Sequence, residues 1–196
     1  MDDDPYVWPG TDCLQNLLGI RDREELHKAE HEVVRARRLQ LDTAFLPGNY
    51  DTDHLRGFHR YLFQDVYDWA GEFRQGDISK DGQPFTPGGQ LIERLDALFA
   101  RVAARKLLVG MDWEPFVGGF ALVYGDLNAI HPFREGNGRT QRAFLRQLAA
   151  HAGWTVDWSA LGRFANARAC ERYMKTGKPH HLVRVLAPII VARTKR

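Results

Sequence analysis

His131-Pro132-Phe133-Arg134-Glu135-Gly136-Asn137-Gly138-Arg139-Thr140-Gln141-Arg142 brings together four kinds of chemistry within one short stretch. Gly136 and Gly138 flank Asn137, a residue type that tolerates left-handed backbone, so successive backbone N–H groups can converge there. The run that follows (Ala143, Leu145, Leu148, Ala149) has helical spacing. The convergence therefore falls at a helix N-terminus, whose partial positive charge suits a phosphate. Arg139 and Arg142 stand three apart on one helix face, where two guanidinium groups can grip polyphosphate oxygens. Glu135 offers a hard carboxylate beside that anion, the kind of ligand Mg²⁺ takes together with phosphate oxygens and water. His131 supplies a base whose ordinary pKa lies near neutrality, and Phe133 has the character of a core anchor. Each feature alone is common in helices that do nothing, and the glycine pair does not form a Walker A loop. Their joint order is what points to phosphoryl or nucleotidyl chemistry.

Helices must position these groups. Periodicity predicts a long helix over about 22–44 with Leu26, Ala29, Val33, Ala36 and Gln40 along one face. A second starts at an Asp51 N-cap and carries Leu55, Phe58, Leu62 and Phe63. A third carries Leu91, Leu95, Leu98, Phe99 and Val102, and a fourth, with Asp112 as candidate cap, turns Phe116, Phe120, Val123 and Leu127 inward. The helix opened by 136–138 runs to about 151, Asp157 begins one or two short helices, and a last helix covers roughly 179–192. Residues 1–20 read as an irregular arm with room for one short helix. Between Gly71 and Gly89 the helical pattern breaks. There Asp81-Gly82 centres a stretch from Gly76 to Phe85, a hairpin signal that Pro84 weakens, so a short exposed hairpin is expected. The fold class is all-α, a helical bundle.

Composition narrows the function. The 196 residues are 44% hydrophobic and carry 27 Lys and Arg against 25 Asp and Glu, a net charge of +2, so bulk charge does not argue for a nucleic-acid or membrane binder. Cys13 and Cys170, the two cysteines, are neither a disulfide framework nor a cysteine-rich zinc site. The acidic start Met1-Asp2-Asp3-Asp4 has no apolar core of a secretory signal, and the longest apolar run, Val185 to Ala192 around Pro188, is too short to span a bilayer. A protein of a reducing compartment, one domain over 1–196, is expected.

The motif resembles the signature of the Fic family, His-x-Phe-x-(Asp or Glu)-Gly-Asn-Gly-Arg-x-x-Arg, at every defined position. The likeness extends to Val66-Tyr67-Asp68-Trp69-Ala70-Gly71-Glu72-Phe73-Arg74, to Ile78 through Phe85, and to the opening Asp4-Pro5-Tyr6, Pro9-Gly10-Thr11 and Leu18-Gly19-Ile20. The resemblance implies a Fic-type helical bundle with a short β-hairpin flap over about 76–86 beside the active site. It implies a protein adenylyltransferase that moves AMP from ATP onto a Ser, Thr or Tyr hydroxyl of a target protein. His131 would take the hydroxyl proton and Glu135 would hold Mg²⁺. Gly136, Asn137, Gly138, Arg139 and Arg142 would bind the nucleotide phosphates, with Lys80 and Asp81 over the nucleotide. Ile78, Ser79 and Lys80 of the flap would pair with the target backbone. Doc-type relatives carry Lys where Gly138 stands and transfer phosphate instead, so Gly138 keeps the AMP pattern, although the motif alone does not separate AMP from the UMP or phosphocholine moved by other relatives.

Many Fic proteins restrain themselves with (Ser or Thr)-x-x-x-Glu-(Gly or Asn), whose glutamate meets the second motif arginine. In this sequence Glu135 is the sole glutamate followed by Gly or Asn, and His131 stands four residues before it. The resemblance therefore implies a bacterial, cytoplasmic toxin restrained by a separate small helical antitoxin that brings a glutamate to Arg142, with DNA topoisomerases among the candidate targets and no direct contact to nucleic acid or membrane. Two rival readings stand beside it. One is a non-catalytic Fic module that binds a peptide or nucleotide. The other is a zinc hydrolase built on His27, Glu30 and His31, since His27-Lys28-Ala29-Glu30-His31 spells H-x-x-E-H; the charges around it point instead to a solvated helix face. The same account covers the arginines from Arg35 to Arg38.

Overall fold

The computed structural model describes residues 4–193 except residue 81. Helix α1 (Arg23–Thr43) begins where the Asp22 carboxylate accepts from the Glu25 amide at 2.8 Å. Helix α2 (Thr52–Phe63) begins in the same way, with Asp51 accepting from the His54 amide at 2.8 Å. These short side chains satisfy amides that have no partner in their own helix. The inward stripe of α1 is Leu26, Glu30, Val34 and Leu41. That corrects the expected face by about one position: Ala29 and Val33 lie at its edge, and Ala36 and Gln40 are exposed. A polar member of the stripe, Glu30, hid its true phase from a count of apolar residues.

The flap is a two-residue hairpin of β1 (Ser79–Lys80) and β2 (Gln83–Pro84), antiparallel with Ser79 opposite Pro84 and Lys80 opposite Gln83. Gly82 in its turn takes φ +75°. Helix α3 (Leu91–Ala104) buries the five apolar residues expected of it. Helix α4 (Trp113–Ile130) is the apolar centre, with Phe116, Phe120, Val123 and Leu127 all buried. Asp112 holds its N-cap position but makes no capping bond through its side chain. Helix α5 (Asn137–His151) packs on α4 and α2. Burial of each such aromatic or leucine side chain contributes roughly 1.5–3 kcal/mol before entropy is counted.

The C-terminal third departs most from expectation. Asp157 caps a single turn of 3-10 helix, Trp158–Ala160, and α6 (Arg163–Thr176) is a full helix. Helix α7 (His180–Leu186) is shorter than expected: the chain narrows to a 3-10 turn at Ala187–Ile189 around Pro188 and then extends as β4 (Ile190–Ala192). Proline cannot donate to a preceding helical turn, which ends the α-helix there. Strand β4 pairs antiparallel with β3 (Trp154–Val156), a small second sheet that the sequence reading lacks. The arm forms an isolated bridge between Val7 and Leu14 and contains no helix from residue 4 to α1.

Candidate active site

Two left-handed residues bracket the loop between α4 and α5. His131 ends α4 at φ +48°, with its amide donating to the Leu127 carbonyl at 3.0 Å. Gly136 opens α5 at φ +76°. A non-glycine residue with positive φ is uncommon and marks a place where the surroundings dictate the backbone. Gly136 is required twice over. Its φ suits glycine, and a Cβ built on it would lie 2.2 Å from Cζ of Phe63. Inside the loop, Asn137 holds the backbone of Phe133 from both sides, accepting its amide at 2.9 Å and donating to its carbonyl at 2.7 Å. The side chain of Asn137 is thus spent on building the loop, and what it can offer a ligand is its backbone amide at the start of α5.

The His131 imidazole is oriented by one hydrogen bond: Nδ1–H donates to the Asn128 carbonyl at 3.2 Å. That leaves the lone pair on Nε2. Burial is the main cause that pushes its pKa down to about 4, with the positive charges of Arg74 and Lys80 acting the same way against the opposing Asn128 carbonyl and Glu135. The ring is therefore neutral at physiological pH and able to accept a proton. It stacks on Phe85 of the flap, centroids 4.0 Å apart.

Glu135 folds one carboxylate oxygen back on the helix start. Its Oε1 accepts from the Gly136 amide at 2.7 Å and from Arg139 at 3.1 Å. No hydrogen bond falls on Oε2 among the described residues, and the side chain is 44% exposed. This arrangement fits a divalent cation that takes one protein oxygen and completes its shell with phosphate and water. No cluster of three His, Cys, Asp or Glu able to hold a metal exists among the described residues. Gly138 faces Arg142, whose Nη1 would stand 3.4 Å from a Cβ at that position. Arg142 makes no hydrogen bond or ion pair among the described residues. Burial lowers the pKa of its guanidinium first, and the nearby Arg139 and Arg38 add to that, so it is a partly desolvated cation without an anion.

His131, Glu135, Gly136, Asn137 and Gly138 line one cavity of about 600 Å³ together with Ile78, Ser79 and Lys80 of the flap. Arg139 lines a neighbouring cleft of about 1040 Å³ that shares Glu135 and Arg134 with the first. Asp81 lies outside the described residues. Arg134, within the same motif, ties the arm down: its Nε and Nη2 donate to Asp4 at 3.0 and 2.6 Å.

Three supporting residues escaped the sequence reading. Arg74, 2% exposed, donates to the carbonyls of His131, Gly76, Thr86 and Ile130, which joins both ends of the flap to the end of α4. His59 is fully buried; its Nδ1 accepts from the Gly71 amide at 2.8 Å and its Nε2–H donates to the Glu135 carbonyl at 3.1 Å. Burial pushes its pKa down to about 3, so it stays neutral and keeps that tautomer. Glu30 is buried against Arg139 and Tyr67. That removes it from any zinc site with His27 and His31 and corrects the picture of a solvated face.

A family model described as the Fic/DOC family matches residues 49–149, which hold the flap, α4 and the His131 loop. The chain belongs to the Fic/DOC family. It is 40% identical over 166 residues to protein adenylyltransferase VbhT of Bartonella schoenbuchensis, covering 85% of this chain and 35% of that protein. It is 36% identical over 162 residues to the probable protein adenylyltransferase Fic of Escherichia coli, covering 83% and 80%. The chain thus spans about a third of the first relative's length and four fifths of the second's. Among solved structures, the BepC protein of Bartonella tribocorum with bound AMPPNP superposes with a TM-score of 0.88 at 27% identity, over 96% of this chain and 97% of that one. The Fic-type helical bundle with its hairpin flap is therefore the fold of this chain. No helix among the described residues is long and apolar enough to cross a membrane.

Proposed function

We propose that this chain, acting as one Fic unit, is a protein adenylyltransferase that moves AMP from ATP to a Ser, Thr or Tyr hydroxyl of a target protein. The observation that carries the reading is the neutral His131 imidazole on the same cavity as the unpartnered amide start of α5. The phosphates lie along Gly136, Asn137 and Gly138, with Arg139 and Arg142 at the β and γ groups. Glu135 would hold Mg²⁺, which supplies charge neutralisation for the leaving pyrophosphate when it is bound. The target oxygen forms a bond to the α-phosphorus as the bond from that phosphorus to the bridging oxygen of pyrophosphate breaks. The hydroxyl proton passes to Nε2 of His131. Ser79 and Lys80, with Ile78 leading into them, offer an exposed strand edge on which a target segment can align backbone to backbone; Lys80 reaches the nucleotide from there.

AMP rather than phosphate transfer is favoured by Gly138, because the Doc-type relatives that transfer phosphate carry Lys at that position. We also infer regulation by a separate small helical antitoxin in a bacterial cytoplasm. Arg142, a partly desolvated cation without an anion among the described residues, would receive its glutamate. DNA topoisomerases are the first targets to try. The test uses ATP labelled on the α- or γ-phosphate in a bacterial lysate with Mg²⁺. Label from the α position alone is expected on the target band; label from the γ position alone would replace AMP transfer by phosphate transfer.

A further inference from the structure

Glu30 lies on α1, outside the segment 49–149 that the family model matches. It stands on the inward stripe of α1 between Leu26 and Val34 and is 4% exposed. Both of its carboxylate oxygens are engaged within the protein. Oε2 accepts from the Tyr67 hydroxyl, itself fully buried, and Oε1 forms an ion pair with Nη1 of Arg139. A carboxylate held at both oxygens keeps a fixed position and so fixes the charge that the guanidinium meets. Arg139 is further seated over the Phe63 ring, 4.8 Å from its centroid.

Arg139 therefore has two carboxylate anchors of unequal permanence. Glu135 holds Nη2 at 3.1 Å from a half-exposed side chain on the nucleotide cavity, and its Oε2 takes no hydrogen bond among the described residues. Glu30 holds Nη1 from inside the core. A cation arriving with the nucleotide competes with Arg139 for Glu135, because one carboxylate shared between them is weaker toward each. Oε1 can keep Arg139 while Oε2 takes the cation, but the surface anchor is weakened as the guanidinium is needed to face phosphate oxygens.

We propose that Glu30 is a positioning residue that keeps Arg139 oriented toward the nucleotide phosphates when Glu135 engages the divalent cation. The inference rests on the nucleotide and metal reading of the site given above. It predicts a dependence on the cation that simple packing would not produce. While Glu135 is free of metal it still holds Arg139, and loss of Glu30 is tolerated. Once metal occupies Glu135, Glu30 becomes the stronger carboxylate anchor.

The test is calorimetric binding of a non-hydrolysable ATP analogue to wild type, Glu30→Gln and Tyr67→Phe, each with Mg²⁺ and with EDTA. Glutamine keeps the shape of Glu30 but removes the charge. Glu30→Gln is expected to lose about tenfold in affinity with Mg²⁺ and less than about threefold in EDTA. Tyr67→Phe, which leaves the Glu30 charge but frees one oxygen, is expected to show the same cation-dependent loss at smaller size. Equal losses with and without Mg²⁺, or none, would overturn the inference. Should Glu30→Gln fail to fold, a Tyr67→Phe loss that ignores Mg²⁺ would overturn it alone. Wild type that binds no nucleotide would instead sink the nucleotide reading itself.

Discussion

The His131 imidazole lies against the ring of Phe85 with their planes inclined by 16°. The flap thereby covers the proposed base before any target arrives, and it does so from a hairpin whose roots are held by Arg74. Burial is the main reason that the His131 pKa stands near 4. Phe85→Ala should let water reach the ring and move the acidic limb of the kcat/KM profile upward by about one unit, toward the ordinary histidine value. An acidic limb left in place would separate Phe85 from the tuning of His131.

Arg74 is a buried cation whose partners are all carbonyl oxygens. Lysine retains the charge but not the planar fork that reaches four carbonyls at once. Arg74→Lys should therefore cost roughly 2–4 kcal/mol in urea unfolding and reduce AMP transfer, because acceptors on the flap and on His131 lose their donors together. A loss under about 1 kcal/mol would show that water replaces the fork without penalty.

Gly136→Ala forces a methyl into the Phe63 ring and places alanine at φ +76°. The two costs together should reach about 3 kcal/mol or more. Adding Phe63→Leu should return part of it, since the clash is relieved and the backbone strain is not. Equal stability of the single and double variants would mean that the loop already yields around the methyl.

What the sequence disclosed and what it hid follow from the range of each interaction. Asp51 was legible as a cap because the amide it serves is three residues away. The motif loop was legible because Gly136 and Asn137 act within their own turn. Glu30, His59 and Arg74 were not, because the contacts that tie them to the motif segment span 109, 76 and 57 positions and polar residues carry no periodic signature of burial. The segment Lys106–Leu108 shows the same limit: three non-glycine residues adopt φ of +52°, +55° and +63°, and nothing local asks for it. Leu108 is buried to 1% exposure there, so tertiary packing dictates the turn. Strands β3 and β4 pair across more than thirty residues, and their three-residue length gives no alternation to read.

Acid should destabilise the protein through its buried histidines. His131 and His59 have folded pKa values of about 4 and about 3 against an ordinary 6.5. Below 6.5 the unfolded chain takes up protons that the folded chain refuses. The stability they contribute is therefore complete above pH 6.5 and is lost as pH falls toward the folded values. Urea unfolding at pH 7.5 and 4.5 should differ by roughly 2 kcal/mol or more in that direction. A flat dependence would mean that these rings are hydrated in the folded state.

The central claim, that His131 takes the proton of the target hydroxyl while the loop beside it binds nucleotide, is tested most directly by His131→Ala. Transfer of α-phosphate label to the target and binding of the non-hydrolysable ATP analogue would be measured on the same preparation. Labelling should fall by about a hundredfold or more while nucleotide affinity stays within a few-fold of wild type. Undiminished labelling by His131→Ala would contradict the account.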